Sequence, residues 1–226
     1  MAMDSTANQT AHSSSTPPPP KTTSSPYDYD RVLDFLESKG KEHYGGRFRL
    51  DAADHPILLK LAAYFLRDEP ICRQQDIRLD KGIMLTGPIG CGKTSLMQLM
   101  RYLTQPDNRY VVKSTRDITF EFIQDGYDVI HRYSRGKLYT AEHRHYCFDD
   151  LGIENNIKYY GNECNVMAEI LLSRYDLFIG RGLITHITTN LSATEIEEAY
   201  GNRLRSRLRE MVNLIGFDQG VKDKRR

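Results

Sequence analysis

Three short stretches of the chain carry side chains whose types and spacing could perform phosphate chemistry. The first is GPIGCGKT, residues 87–94. Glycines at Gly87, Gly90 and Gly92 let the backbone turn tightly and aim its N–H groups at phosphate oxygens, and a helix beginning near Lys93 adds an electropositive end. Lys93 is spaced to reach the β and γ phosphates of a nucleotide, and the Thr94 hydroxyl to ligate magnesium. The phosphate-binding stretch is therefore Gly87, Pro88, Ile89, Gly90, Cys91, Gly92, Lys93, Thr94 and Ser95, with Cys91 read as a filler. This pattern reads the phosphate tail that ATP and GTP share; it says little about the base. The second stretch, CFDD, ends an apolar run on Asp149 and Asp150. Asp149 is expected to share the magnesium ion with Thr94, and Asp150 to position or deprotonate an attacking water. An acidic pair at a strand end is common in loops, and it gains this meaning from the phosphate loop upstream. The third stretch, ITHITTN, brings Asn190 to a strand end, where its amide could meet the γ phosphate or the water; a turn-capping asparagine is the competing reading. Thr188 and Thr189 are read as satisfying the strand edge.

Elements of the right kind surround these residues. KGIMLTG gives a short apolar strand before the glycine loop, and KTSLMQLMRYL a helix after it. RYVVKST reads as a strand, DITFEFIQDG as a helix begun by Asp117, YDVIHRY as a helix, and YCFDD as a buried strand. Beyond the polar stretch LGIENNIKYYGNE, helical spacing runs through residues 165–178, and RGLITHITTN is a strand. Ser192 and Glu195 form a capping-box pattern, and a basic helix, NRLRSRLREM, follows Gly201. Alternating strands and helices predict an α/β fold, a largely parallel sheet covered by helices in three layers.

Upstream, residues 1–26 form a Ser/Thr/Pro tract with almost no large apolar side chains, expected to be disordered. Residues 27–79 read as a short helical prefix. One helix spans DRVLDFLESKG and ends at Gly40; a second, DHPILLKLAAYFLRD, is capped by Asp54 with Pro56 in its first turn. Periodicity leaves open whether this prefix packs on the core or meets a partner. Residues 80–226 are the phosphate-binding core with a basic end: residues 199–226 carry eight Lys or Arg against Glu210, Asp218 and Asp223.

The 226 residues are enough for one well-buried domain, and 39% hydrophobic with 27% charged residues is a soluble globular composition. The formal charge of +1 gives no information on partners. The absence of an apolar run of about 18 residues or a secretory leader predicts a cytoplasmic protein without membrane contact. Cys72, Cys91, Cys147 and Cys164 lack CxxC spacing and read as reduced cysteines.

From about Lys81 to Arg209 the chain resembles the AAA+ ATPases of the DnaC/IstB-like group, which contains bacterial helicase loaders and transposition helper ATPases. GPIGCGKT, CFDDLGIE, NVMAEILLSRYD, THITTNLS and YGNRLRSRLREM carry the resemblance. It implies a P-loop NTPase core of AAA+ type without a full C-terminal helical lid, and a homo-oligomer with ATP and Mg2+ between subunits. Lys93 and Thr94 become the Walker A pair, Asp149 and Asp150 the Walker B pair, and Asn190 sensor 1. Arg207 becomes the arginine finger, with Arg203 the runner-up, neutralising phosphoryl charge in a neighbour's site. The second Walker B carboxylate is Asp where the wider class has Glu, which implies slow hydrolysis. Lys224 or Arg225 is the candidate for a late nucleotide-sensing position, with a plain basic terminus the favoured competing reading.

The function implied is an ATP-dependent, DNA-associated assembly factor, most like a replicative helicase loader. Its partners would be a replicative helicase or a transposase, and single-stranded or double-stranded DNA. The alternatives are a transposition helper ATPase, a non-hydrolysing nucleotide-dependent adaptor, or a small-molecule P-loop kinase. Arg132, Arg135, Lys137, Arg144 and Lys158, with Tyr159 and Tyr160, are the basic and aromatic candidates for DNA contact.

Overall fold

The computed structural model describes residues 25–135, 144–154, 157–159, 162–218, 220–221 and 223–224. Three helices come first: α1 (Tyr29–Tyr44), α2 (His55–Leu66) and α3 (Glu69–Gln74). The core then alternates. Strand β1 (Gly82–Thr86) leads through the glycine loop to α4 (Lys93–Met100), and β2 (Tyr110–Ser114) to α5 (Thr115–Asp125) and α6 (Tyr127–Ser134). Next come β3 (His145–Leu151), a small antiparallel pair β4 (Ile157–Tyr159) and β5 (Asn162–Cys164), and α7 (Val166–Arg181). Finally β6 (Thr185–Thr189), α8 (Ala193–Met211) and β7 (Val212–Gly216) complete the core.

Five strands form one parallel sheet in the order β2-β3-β6-β1-β7. Each buried strand sends alternate side chains to opposite faces, which builds two cores. Met84, Phe148 and Ile187 face α5–α8, where Phe122, Met167, Ile170 and Leu204 close the layer. Ile83, Leu85 and Cys147 face the other way, against Leu36 of α1, Leu58 and Leu61 of α2, and Met97 of α4. The result is the three-layer α/β architecture expected from the alternation. The first helices share their core with β1 and α4, so they pack on the sheet.

Several local expectations are corrected. Gly40 does not end α1; the helix runs on to Tyr44, and Gly40 is where Phe48 packs, so close that a Cβ there would stand 2.2 Å from the Phe48 ring. Asp54 precedes α2 and Pro56 occupies its first turn, but the Asp54 side chain makes no capping bond. It pairs with Lys224 Nζ instead. Ser114, not Asp117, caps α5: its side chain accepts the Asp117 N–H. Strand β7 has no counterpart in the sequence reading, because α8 passes into it with no glycine or proline between Met211 and Val212. Gly201 kinks α8 at φ 83°, where the sequence reading divided two helices. Among the described residues no helix follows β7, and none is long and apolar enough to cross a membrane.

Candidate nucleotide site

In a parallel sheet, ligands gather beyond the carboxyl ends of the strands, where neighbouring connections diverge. Three strands bring the candidate residues to that edge: β1 the glycine loop, β3 Asp149 and Asp150, and β6 Asn190. The register Leu85↔Thr188 and Thr86↔Thr189, with Leu151↔Thr189 on the other side, puts the strand ends level.

The loop turns through Gly90 at φ 82° and Gly92 at φ 97°, the latter the N-cap of α4. A residue with a Cβ is strained in that region, so the glycines are required by the turn itself. Lys93 opens the helix and is buried, 4% exposed. Its ammonium donates to the carbonyls of Gly87 at 2.8 Å and Pro88 at 3.0 Å, to Asn190 Oδ1 at 2.5 Å, and lies 3.7 Å from Cys91 Sγ. These hydrogen-bond partners are all neutral, and a buried cation satisfied only by neutral oxygens favours an anion beside it. Burial pushes the Cys91 thiol pKa up, which fits a filler rather than a nucleophile. Ile89 projects outward at the loop tip, 65% exposed.

Next to the ammonium, the Thr94 hydroxyl stands 3.0 Å from each oxygen of Asp149. Asp149 also accepts the Thr188 hydroxyl at 2.7 Å. Burial first, and then the charge of Asp150, push the Asp149 pKa up, while the Thr188 and Thr94 hydroxyls and Lys93 oppose the shift. A buried carboxylate beside a helix-start hydroxyl is an oxygen donor set of the kind that suits magnesium. Asp150 follows at φ 57° in a bulge, where the β3·β6 register skips from Phe148 to Leu151. Asparagine and aspartate tolerate that conformation better than other side chains.

Sequence reading found Lys93, Thr94, Asp149 and Asn190, which the structure brings into direct contact, with Asp150 adjoining them. It assigned Thr188 and Thr189 only to the strand edge. Thr188 is instead fully buried between the two aspartates, and Thr189 donates to the Leu151 carbonyl at 2.6 Å. Tyr44 was missed too. Its hydroxyl donates to Gln98 at 3.0 Å beside Ser95, and burial together with the charges of Tyr102 and Asp149 pushes its pKa up. No motif links α1 to the loop, so only the packing of α1 on α4 reveals it.

The late basic residues divide. Lys224 lies at the loop: its N–H donates to the Gly90 carbonyl at 3.0 Å, and a Cβ on Gly90 would meet the Asp223 carboxylate at 2.2 Å. Arg225 lies outside the described residues. Arg207 and Arg203 are not brought to Lys93 of their own chain. Val212 pairs with Gly82 at the start of β1, so the last turns of α8 lie at the sheet edge opposite the loop. There the Arg207 guanidinium rests 4.7 Å above the Tyr175 ring, whose hydroxyl donates to Glu210 at 2.8 Å. Arg203 is exposed on the same helix.

Against known proteins, residues 82–156 match the model of an AAA domain of the dynein-related subfamily. Among solved structures, the chain superposes on the DnaC helicase loader with a TM-score of 0.52 at 16% identity, covering 76% of this chain and 94% of that one. The fold is of the AAA+ type. A putative primosome component from Streptococcus pyogenes aligns at TM-score 0.52 and 15% identity, over 76% and 83% of the two chains. The replication initiator DnaA, bound to AMPPCP and single-stranded DNA, aligns at 0.51 and 14% over 79% of this chain and 50% of that one. No curated protein sequence matches the chain.

On this AAA+ core the basic candidates for DNA contact are unequal. Arg132 forks between Glu121 at 3.0 Å and Asp125 at 2.8 Å, so its charge is already matched within α5 and α6. Arg135 and Arg144 are exposed. Lys137, Tyr160 and the side chains of Lys158 and Tyr159 lie outside the described residues.

Proposed function

We propose that the protein is an ATP-dependent, DNA-associated assembly factor, most like a replicative helicase loader, which hydrolyses ATP at sites shared between subunits. One observation carries the reading: the Lys93 ammonium, the Thr94–Asp149 pair and the Asn190 amide converge at the carboxyl ends of β1, β3 and β6. In this reading the loop N–H groups and Lys93 hold the β and γ phosphates, and Asn190 keeps the ammonium aimed at them. Thr94 and Asp149 would hold magnesium, which when bound neutralises charge on the phosphates. Asp150 orients the attacking water. Being shorter than glutamate, it reaches less far, which favours slow turnover.

Arg207, on the edge of the sheet away from its own loop, would serve a neighbour's site, with Arg203 in reserve; a guanidinium supplied in trans ties hydrolysis to assembly. DNA and a helicase enter as partners from the likeness to a helicase loader and to an initiator bound to single-stranded DNA. A transposase client is the alternative. A non-hydrolysing adaptor and a small-molecule kinase are the readings that the test must exclude.

Turnover of ATP by wild type, Lys93→Ala, Asp150→Asn and Arg207→Ala, each with and without single-stranded DNA, is the test. Each variant is expected to lose at least about 100-fold, the scale on which removal of one charge-stabilising group slows a reaction. Wild-type turnover no greater than that of all three variants would remove the ATPase reading and leave an adaptor. Phosphorylation of a small acceptor without dependence on DNA or protein would point to a kinase.

A further inference from the structure

Thr188 stands at the centre of the acid pair. It is fully buried on β6, and its single hydroxyl hydrogen goes to Asp149 Oδ1 at 2.7 Å. The Thr188 hydroxyl oxygen in turn accepts the Asp150 N–H at 2.8 Å. One hydroxyl thus ties the side chain of the first carboxylate to the backbone of the second. The rest of the bulge is held in the same manner. The Asp150 carbonyl accepts the Thr115 hydroxyl at 2.9 Å, and the Leu151 carbonyl accepts that of Thr189. Both backbone groups of Asp150 therefore bond threonine hydroxyls in place of a strand ladder, the carbonyl also accepting the Ile153 N–H at 3.3 Å, at a residue whose φ of 57° needs outside support.

We propose that Thr188 is a positioning residue for the acid pair, setting the rotamer of Asp149 and, through the Asp150 N–H, the direction in which the Asp150 carboxylate leaves the sheet. The inference rests on the ATPase reading above and deepens it. Thr94 and Thr188 both donate to Asp149, but from different elements, α4 and β6. Thr94 belongs to the helix start that the phosphates approach. Thr188 holds the carboxylate from inside the sheet, where no ligand reaches, so it orients without touching substrate. Valine has nearly the same shape and lacks the hydroxyl; it leaves one Asp149 oxygen without that donor and the Asp150 N–H without its acceptor. Serine keeps both bonds.

The test is the magnesium dependence of ATP turnover by Thr188→Val and Thr188→Ser in the full chain, with the magnesium dependence of equilibrium ATP binding measured on the same proteins. Removing a hydrogen bond that orients a metal ligand costs about 10- to 100-fold in metal affinity or activity. Thr188→Val is therefore expected to raise the magnesium midpoint about 10-fold and to lower kcat by about the same factor. KM for ATP should stay within about threefold, because Lys93 and the loop hold the phosphates independently. Thr188→Ser should return both values to near wild type. Should the valine variant not fold, Thr188→Cys, similar in size and a poor donor, carries the same prediction. A wild-type midpoint and kcat in the folded Val or Cys variant, or a serine variant as impaired as valine, would overturn the inference alone. Wild-type protein without magnesium-dependent turnover would overturn the ATPase reading, and this inference with it.

Discussion

The Lys93 ammonium meets the Asn190 amide oxygen at 2.5 Å, although 97 residues separate them, so it is the fold that pairs the two groups. Asn190→Ala removes the oxygen that aims the ammonium while leaving the loop N–H groups in place. Nucleotide affinity is expected to fall only a few-fold and kcat about 100-fold, as measured by equilibrium binding and by steady-state turnover. A variant that loses affinity with kcat unchanged would assign Asn190 to binding. Much at this scale was legible in the sequence. Lys93 and Thr94 are fixed by their spacing from the glycines, and Asp149 by its place at the end of an apolar run. Thr188 was not legible, because its partners are set by the β3·β6 register and by a bulge that no local pattern announces. Tyr44 was hidden for a similar reason: only helix packing brings it to Ser95.

Among the elements, β1 does most to place the site, with β6 on one side and β7 on the other. Gly82 begins it so close to β6 that a Cβ would stand 1.9 Å from the Thr185 carbonyl oxygen. Backbone cannot yield as a side chain can, so Gly82→Ala is expected to cost about 3 kcal/mol or more. Chemical denaturation checks this, and a variant as stable as wild type would mean that the two strands are free to separate. The alternation of strand and helix was readable because buried parallel strands are short apolar runs and the helices between them keep a helical period. What escaped was β7, which follows a charged helix without punctuation, and the course of α1 past Gly40. In α1 the glycine serves contact with Phe48, so its meaning as a helix end was overridden by packing.

The molecule as a whole is stabilised by a sheet buried on both faces, and the titratable side chains inside it include a histidine. His186 is 2% exposed among the rings of Tyr64, Phe65 and Tyr110, and its Nδ1 accepts the Ile83 N–H at 3.0 Å. Burial, and then the charges of His145 and Arg174, pull its pKa from the ordinary 6.5 to about 3. The folded state therefore holds this imidazole neutral where the unfolded chain protonates it. The stability it contributes is complete above about pH 6.5 and falls away as pH drops toward 3. At pH 5 the loss is about 2 kcal/mol relative to pH 7, from 1.36 kcal/mol per pH unit. From pH 7 to pH 5 the unfolding free energy of wild type should fall by about 2 kcal/mol more than that of His186→Gln; parallel pH dependences would place no proton difference at this residue.

Assembly belongs to this scale as well, since Lys93 and Arg207 lie toward opposite edges of one sheet. Sequence motifs named both residues, but they could not say that the chain keeps them apart. That separation is the reason to expect a site completed by a second copy. The direct measurement is ATP turnover of an equimolar mixture of Asp150→Asn and Arg207→Ala, with mixed oligomers verified by native mass spectrometry. Each variant alone spoils every shared site, whereas random mixing leaves intact the interfaces that join a wild-type loop and acid pair to a wild-type arginine, about a quarter of them. Recovery to about a quarter of wild-type turnover is the predicted result. Mixed oligomers that turn over no faster than the two variants measured separately would contradict a site shared between subunits.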